Sequence, residues 1–331
     1  MTKNINIAII GAGRIAEHHL KAIKKVRGFS LTAICDWNKD KAYNFSKKYN
    51  VPFYLDYNQM LKKEKFIDIV AIMTPSGCHY EHCKDILVRY KKNLIVEKQT
   101  FLRPSHVKNI YKIANKLKLK IYPVFQNRFN KSIQKIKKEI KTKKIGKINI
   151  VSIRVRWCRP QRYYNLAPWR GTYSHDGGAL TNQGIHHIDL LRYLIGEVKE
   201  VSSKMLTLGA KIEVEDTGLA LFKFHNGAAG SLEITTAARP NDFEASISIL
   251  GSKGTIQIGG LAVNEILLYT PNPKICKKFS EKIPDAYGFG HYEFYRQIYK
   301  SISRNKNFII SENDCFKTIS LLNAFYVSNE K

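Results

Sequence analysis

Ile5-Asn6-Ile7-Ala8-Ile9-Ile10-Gly11-Ala12-Gly13-Arg14-Ile15-Ala16 is the stretch that decides the fold of this 331-residue chain. Residues 5–10 form a nearly unbroken apolar run, as expected of a parallel strand buried on both faces. A glycine turn follows at once, and residues 18–25 continue as a helix. In that order the residues read as the phosphate-binding turn of a dinucleotide fold. Gly11 permits the tight bend, Gly13 lets a pyrophosphate approach the backbone, and Ala16 lets the helix pack closely on the strand. Arg14 and Ile15 complete the turn and are expected among the cofactor contacts. The next strand, 31–35, ends at Asp36, whose carboxylate would accept hydrogen bonds from an adenosine ribose and repel a 2′-phosphate. The expected cofactor is therefore NAD.

Outward from this turn, strands and helices keep alternating. Helices are expected around 57–63, from 78 and over 104–117, and strands over 67–73, 93–96 and 120–125. This pattern predicts a doubly wound parallel sheet of about six strands over residues 1–124, with ligand at the carboxyl ends of the strands. Thr74-Pro75 and Glu97-Lys98-Gln99 stand at two such ends. Lys98 would lie beside the nicotinamide, where an amine can exchange a proton with substrate, and Thr74, Pro75, His79 and Glu97 would border the cofactor. Cys78-His79-Tyr80-Glu81-His82-Cys83 holds two i, i+4 pairs of metal-ligand types. Neighbouring stripes of one helix cannot close a tetrahedral shell alone, so no metal is expected.

Past Gly146 the period changes from helix to strand. Residues 148–157 alternate, with Ile153, Val155 and Trp157 on one face and Ser152, Arg154 and Arg156 on the other. Further strands are expected at 213–224, 228–236, 244–250, 255–258 and 263–269, and a closing helix at 312–327. Residues 125–331 are thus expected to form an α+β substrate and oligomerisation domain around a large, mostly antiparallel open sheet. One face of that sheet needs a partner, which predicts a homo-oligomer, dimer or tetramer.

Composition limits the function classes. The formal charge of +28 would suit a nucleic-acid binder, but the lysines spread over nearly every expected helix face and no aromatic–basic stacking module is visible. The dense run 131–147 reads as a solvated amphipathic helix with Ile133, Ile136 and Ile140 inward. A positive field would instead draw in anionic small substrates. Residues 1–4 lead straight into a strand without a signal-peptide pattern, and no apolar stretch approaches the roughly 20 residues of a membrane span. The six cysteines are scattered, as reduced thiols of a cytoplasmic protein would be.

The chemistry-bearing run of the second half is Gly177-Gly178-Ala179-Leu180-Thr181-Asn182-Gln183-Gly184-Ile185-His186-His187-Ile188-Asp189. A helix is expected from 182 to 196. Asn182, His186 and Asp189 would make one polar stripe beside the apolar face of Ile185, Ile188, Leu191 and Ile195. His186 on that stripe, next to a glycine pair that lets a ligand approach the backbone, is a candidate acid/base group.

The strand–GAGRIA turn, Glu97-Lys98, Gly177-Gly178 and the Asn182-x-Gly184-x-His186-x-x-Asp189 segment together resemble the Gfo/Idh/MocA sugar oxidoreductases over nearly the whole chain. The resemblance implies that Lys98 and His186 flank the sugar carbon that gives up hydride, with Asp189 orienting His186 or supporting its helix. Gln99 replaces the family's usual Pro after the lysine. Asn182 replaces its usual Asp, which removes a second acid/base carboxylate and shifts weight to Lys98 and His186. The segments Gln126-Asn127-Arg128-Phe129-Asn130, 157–164, Trp169-Arg170-Gly171-Thr172, 181–186, 235–240 and Gly290-His291 look like the branch that oxidises UDP-N-acetylglucosaminuronate at C3. That branch feeds a 3-keto sugar to an aminotransferase in lipopolysaccharide O-antigen synthesis. Carried over, Gln126 would touch the cofactor. Lys98, Asn127, Arg128, Arg156, Arg159, Gln161, Tyr163, Tyr164, Trp169, Arg170, Thr181, Asn182, Gln183, His186 and His291 would touch the substrate. The residues agree independently: the arginines, Arg162 among them, offer planar forks for carboxylate and diphosphate, and Trp169, Tyr163 and Tyr164 offer stacking faces. Two rival readings are a free-sugar or inositol dehydrogenase, which would not need the Arg/Trp/Tyr loop, and a non-catalytic NAD-binding regulator, against which Lys98 and His186 argue.

Overall fold

Strand formation in the first third follows its apolar runs. In a computed structural model, which describes residues 4–283, 285 and 287–329, they assemble as β1 (Ile5–Ile10), β2 (Phe29–Cys35), β3 (Phe53–Tyr54), β4 (Ile69–Ile72), β5 (Asn93–Val96) and β6 (Ile121–Pro123). Residues 1–3, part of the expected leaderless start, lie outside the described residues. Every pairing is parallel and the order is β3-β2-β1-β4-β5-β6, a Rossmann sheet. Ile7, Ile9, Ile69, Val70 and Leu94 have no exposure at all, because helices cover both faces.

The chain divides into two compact units. One runs to Val124 and takes in His291–Phe316; the other comprises Phe125–Gly290 and the chain from Lys317. The expected second domain, 125–331, is therefore interrupted. The cause lies in the helix Gly290–Ser303, which was not expected from the sequence. Its Phe294, Tyr295 and Ile298 are fully buried. Tyr295 meets Phe29 edge-on at 5.7 Å, Phe308 meets Tyr122 at 5.1 Å, and the Tyr299 ring lies where Gly28 leaves no side chain. These aromatics complete the core of the nucleotide unit.

The second unit is built on β7 (Ile148–Arg156), β8 (Val198–Leu206), β9 (Thr217–Phe224), β10 (Ala229–Thr235), β11 (Glu244–Gly251), β12 (Gly254–Gly259) and β13 (Glu265–Tyr269). The order is β13-β12-β11-β7-β10-β9-β8, antiparallel throughout except for β10 beside β7. The strand β8 was missed in the sequence because it is a charged edge strand bearing Lys199, Glu200 and Lys204. β9 starts later than expected, since Asp216 leaves the strand pattern to accept the backbone N–H groups of Leu208, Gly209 and Ala210. The lysine-rich run forms a helix only over Lys131–Lys141, with Ile133 and Ile136 buried as expected and Ile140 partly exposed.

The expected single helix over 182–196 is two. Gly178–Asn182 forms a short helix and Ile185–Ile195 the longer one. The break falls at Gly184, where a Cβ would collide with Ile234 of β10 and with the Leu180 carbonyl. Close approach to the sheet at Gly184 thus turns the chain. Asn182 leaves the stripe of His186 and Asp189, and its amide instead donates to Asp176.

Candidate active site

In the nucleotide unit the turn after β1 has the shape that its glycines predict. Gly11 has φ +99°, and a Cβ there would lie 2.6 Å from the Met73 carbonyl oxygen, whereas a Cβ on Gly13 would meet nothing within 4 Å. The backbone at Gly13 is therefore open to close approach, with Arg14 exposed and Ile15 partly so. The Asp36 carboxylate is fixed by the N–H groups of Ala12 at 2.7 Å and Asn38 at 2.8 Å. A carboxylate oxygen can accept more than one hydrogen bond, so the group retains capacity for ribose hydroxyls. These residues fit a bound NAD; when bound, it accepts hydride at its nicotinamide ring.

Thr74 and Pro75 are partly exposed after β4, and Lys98 is partly exposed after β5. His79 and Glu97, expected to border the cofactor, are both buried. His79 places Nε2 2.9 Å from the Thr74 carbonyl and Nδ1 2.9 Å from the Gln99 carbonyl, so its ring ties two strand-end loops together. Burial lowers its pKa, against the carbonyls that favour the cation. Glu97 faces His19 and His291, and His291, expected at the substrate, is itself buried. Gln99, standing where the family has Pro, is fully buried; its peptide bond to Lys98 is cis, and its amide donates to the Phe101 carbonyl at 2.8 Å.

In the second unit His186 is partly exposed at the start of its helix, and Gln126 donates from Nε2 to its Nε2 over 3.2 Å. The neighbouring His187 is 2% exposed, and burial pulls its pKa down to about 4, so it stays neutral. Of the pair, the first histidine is the one that retains exposure. Gln126, expected at the cofactor, and Asn127 are buried, each with a side-chain carbonyl oxygen that meets no hydrogen-bond donor. Asp189, expected to orient His186 or to support its helix, is buried. It receives Arg128 through Nε at 2.7 Å and Nη2 at 2.6 Å, and the Thr318 hydroxyl at 3.0 Å. Arg128, expected to bind substrate, is thus a buried structural partner that pins the helix.

The Trp157–Arg170 segment brings most of its expected residues together. Arg159 lies over Trp157 at 5.2 Å and Tyr163 at 5.4 Å. Arg170 lies over Tyr163 at 4.5 Å and Trp169 at 4.6 Å, and donates to the Tyr163 hydroxyl at 2.6 Å. Rings and guanidinium planes alternate, and the cations are pre-organised at little conformational cost. Arg159 also pairs with Asp242. Gln161 is exposed and bonded to the Lys211 backbone. Two expected contacts fall elsewhere: Arg156 is taken up by Glu233 and Glu244 across the sheet, and the Tyr164 hydroxyl is buried on Thr236.

Sequence reasoning missed the support beneath Gly177-Gly178. A Cβ on Gly178 would strike the Glu215 carboxylate, so the glycine makes room for an acid rather than for a ligand. Glu215 accepts the Leu180 N–H at 3.0 Å and the Tyr326 hydroxyl at 2.7 Å, and Tyr326 also meets Thr181 at 2.7 Å. Thr181 and Gln183 are buried here. Nothing local marks Glu215 or Tyr326, since both act across long sequence separations. Burial raises the Glu215 pKa from 4.5 to about 7, overriding the hydrogen bonds that favour its anion, and the charge of Asp176 adds to the rise. A folded pKa above the unfolded one means that the native state holds this proton more tightly. That stabilisation, on the order of 3 kcal/mol, is complete below about pH 4.5 and is lost as pH rises through about 7. The Tm difference between wild type and Glu215→Gln should accordingly change between about pH 5 and pH 7.5, with the variant gaining at the higher pH. A constant difference would refute the raised pKa.

Residues 5–125 match the family model described as oxidoreductase family, NAD-binding Rossmann fold, and residues 133–257 match the GFO/IDH/MocA C-terminal domain. The chain is similar to the WlbA dehydrogenase from Bordetella pertussis, solved with NADH and UDP-GlcNAcA, at 32% identity with a TM-score of 0.90, covering 99% of this chain and 96% of that one. WlbA from Chromobacterium violaceum, solved with the same two ligands, gives 35% identity and a TM-score of 0.89, covering 99% and 94%. Among curated proteins, the myo-inositol 2-dehydrogenase of Thermotoga maritima is 26% identical over 258 residues, 76% of this chain and 74% of its own length. Among the described residues, no helix is long and apolar enough to cross a membrane.

Proposed function

This chain belongs to the Gfo/Idh/MocA oxidoreductase family and carries its NAD-binding Rossmann domain, and from that premise we propose that it oxidises the C3 hydroxyl of UDP-N-acetylglucosaminuronate to the 3-keto sugar. The observation that carries the reading is the alternating ladder Trp157, Arg159, Tyr163, Arg170, Trp169. A substrate with a diphosphate and a carboxylate needs planar cationic donors in an aromatic surround, and a neutral free sugar does not. In this reading Lys98 and His186 handle the C3 hydroxyl proton. Gln126 holds the His186 ring by its Nε2, and Asp189 and Arg128 fix the helix beneath it. The enzyme works in the cytoplasm as a homo-oligomer and hands its ketone to an aminotransferase. Support for oligomerisation comes from the outward face of the large sheet, where Leu219, Leu221, Ile150 and Leu250 are exposed side chains. A free-sugar or inositol dehydrogenase is the second reading, favoured by the inositol-oxidising relative.

The direct test incubates the purified protein with UDP-N-acetylglucosaminuronate and NAD and seeks a 3-keto product by mass spectrometry. Calorimetry separates the two readings further. UDP alone should bind, more weakly than the UDP-sugar and in a salt-sensitive way. Each charge-assisted bond contributes about 1.5–3 kcal/mol, so Arg170→Ala should weaken UDP-sugar binding by about 10–150-fold. Free N-acetylglucosaminuronate binding as tightly as the UDP-sugar, with no binding of UDP at low salt, would overturn the nucleotide-sugar reading.

A further inference from the structure

Lys98 belongs to a loop that two buried histidine systems grip, one on each side. Before it, the Glu97 carboxylate is 3% exposed; Oε1 lies 3.1 Å from His19 Nε2, and Oε2 accepts the backbone N–H of Lys98 at 2.9 Å. His291 places Nε2 3.8 Å from the same Oε1, and His19 turns Nδ1 to the Tyr295 hydroxyl at 2.8 Å. After it, His79 holds the Gln99 carbonyl as described. The first system draws on the helix that follows the glycine turn and on the helix Gly290–Ser303.

A carboxylate withdrawn from water is costly unless its partners are complete. Burial pushes the Glu97 carboxyl up, but hydrogen bonds and charge from His19 and His291 outweigh it and hold the group well below the usual carboxylate range. A carboxyl held ionised and almost wholly withdrawn from solvent is poorly placed to exchange protons during turnover. Toward the site it meets the Lys98 N–H.

We propose that Glu97, clamped by His19 and His291, is a positioning residue: it fixes the Lys98 backbone and so aims the Lys98 amine at the reacting hydroxyl. This rests on the reading that Lys98 handles the substrate proton. Glu97→Gln keeps the shape but sets an amide N–H against a donor, either His19 or the Lys98 N–H. Groups that orient a reacting group typically affect activity by about 10–100-fold, and small misplacements by as much.

The test is a double-mutant cycle on the NAD-loaded full chain, with NADH formation as readout. Glu97→Gln alone should lower kcat by about 10–100-fold, with KM and NAD affinity within about threefold, and Glu97→Asp should fall between it and wild type. In a Lys98→Met background Glu97→Gln should cost nothing further. An equal loss in both backgrounds, or an unchanged kcat in Glu97→Gln, overturns the proposal. Full turnover by Lys98→Met alone removes the Lys98 reading and this inference with it, whereas a loss there with none in Glu97→Gln removes this inference only. The ligand atoms of His19, Glu97 and His291 lie within 4.8 Å of one another, so one tightly held divalent ion per chain by elemental analysis also overturns it, in favour of a metal centre. Should Glu97→Gln not fold, His291→Asn, which leaves Glu97 with His19 and Lys98, is read in the same cycle.

Discussion

Lys98→Met and His186→Asn should each lower kcat by roughly 10²–10⁴-fold while NAD affinity barely changes. The size is the usual share of general acid/base catalysis. The selectivity follows from placement. The turn at Gly11 and Gly13 and the Asp36 carboxylate, held by backbone N–H groups, owe nothing to either side chain. His186→Asn keeps a polar side chain but removes Nε2, the ring nitrogen that Gln126 meets and that can carry a proton. Lys98→Met keeps the length of the side chain and removes its amine. Steady-state turnover with UDP-N-acetylglucosaminuronate, beside NAD titration by fluorescence, reads both quantities. Near-wild-type turnover in either variant would withdraw that residue from the chemistry.

The second large effect concerns stability. Arg128 and Asp189 form a two-pronged ion pair with side chains 4% and 2% exposed. Removing one partner leaves a charge in the interior, which costs about 3–5 kcal/mol. Arg128→Met or Asp189→Leu should each destabilise by that amount in denaturant titration. The double variant should lose less than either, because it buries no unpaired charge, although Thr318 and the Tyr193 ring, 4.7 Å from the guanidinium, lose a partner too. Single variants within about 1 kcal/mol of wild type would show that the pair is not closed in solution.

The sequence was most legible where a local rule fixes the outcome. The apolar run before Gly11, the Gly13 opening and the placing of Asp36 all follow from steric and hydrogen-bonding limits acting over a few residues. The parallel first sheet and the mostly antiparallel second followed from the alternation of elements and the change of period. Side-chain partners were not legible in the same way. Arg128 and Arg156 look identical in sequence to Arg159 and Arg170, but the first two are consumed by acids brought near only by folding. The helix break at Gly184 depends on Ile234, a residue of another strand. Glu97 and His291 carry motif identities that suggest ligand contact, yet their burial is decided by a helix whose amphipathic pattern was overlooked.

That late helix sets a temporal order on the birth of the molecule. A chain leaves the ribosome N-terminus first, at about 5–20 residues per second. The nucleotide unit is discontinuous, however, and the hydrogen bond between His19 and Tyr295 joins positions 276 apart. Its six strands emerge early but await Phe294, Tyr295 and Phe308 to close their core. The uninterrupted stretch 125–290 can meanwhile form its own sheet. The unit begun first thus waits for residues 291–316, made after the whole of the second sheet, and a gene cut at the apparent boundary after Val124 would encode an unfinished nucleotide unit.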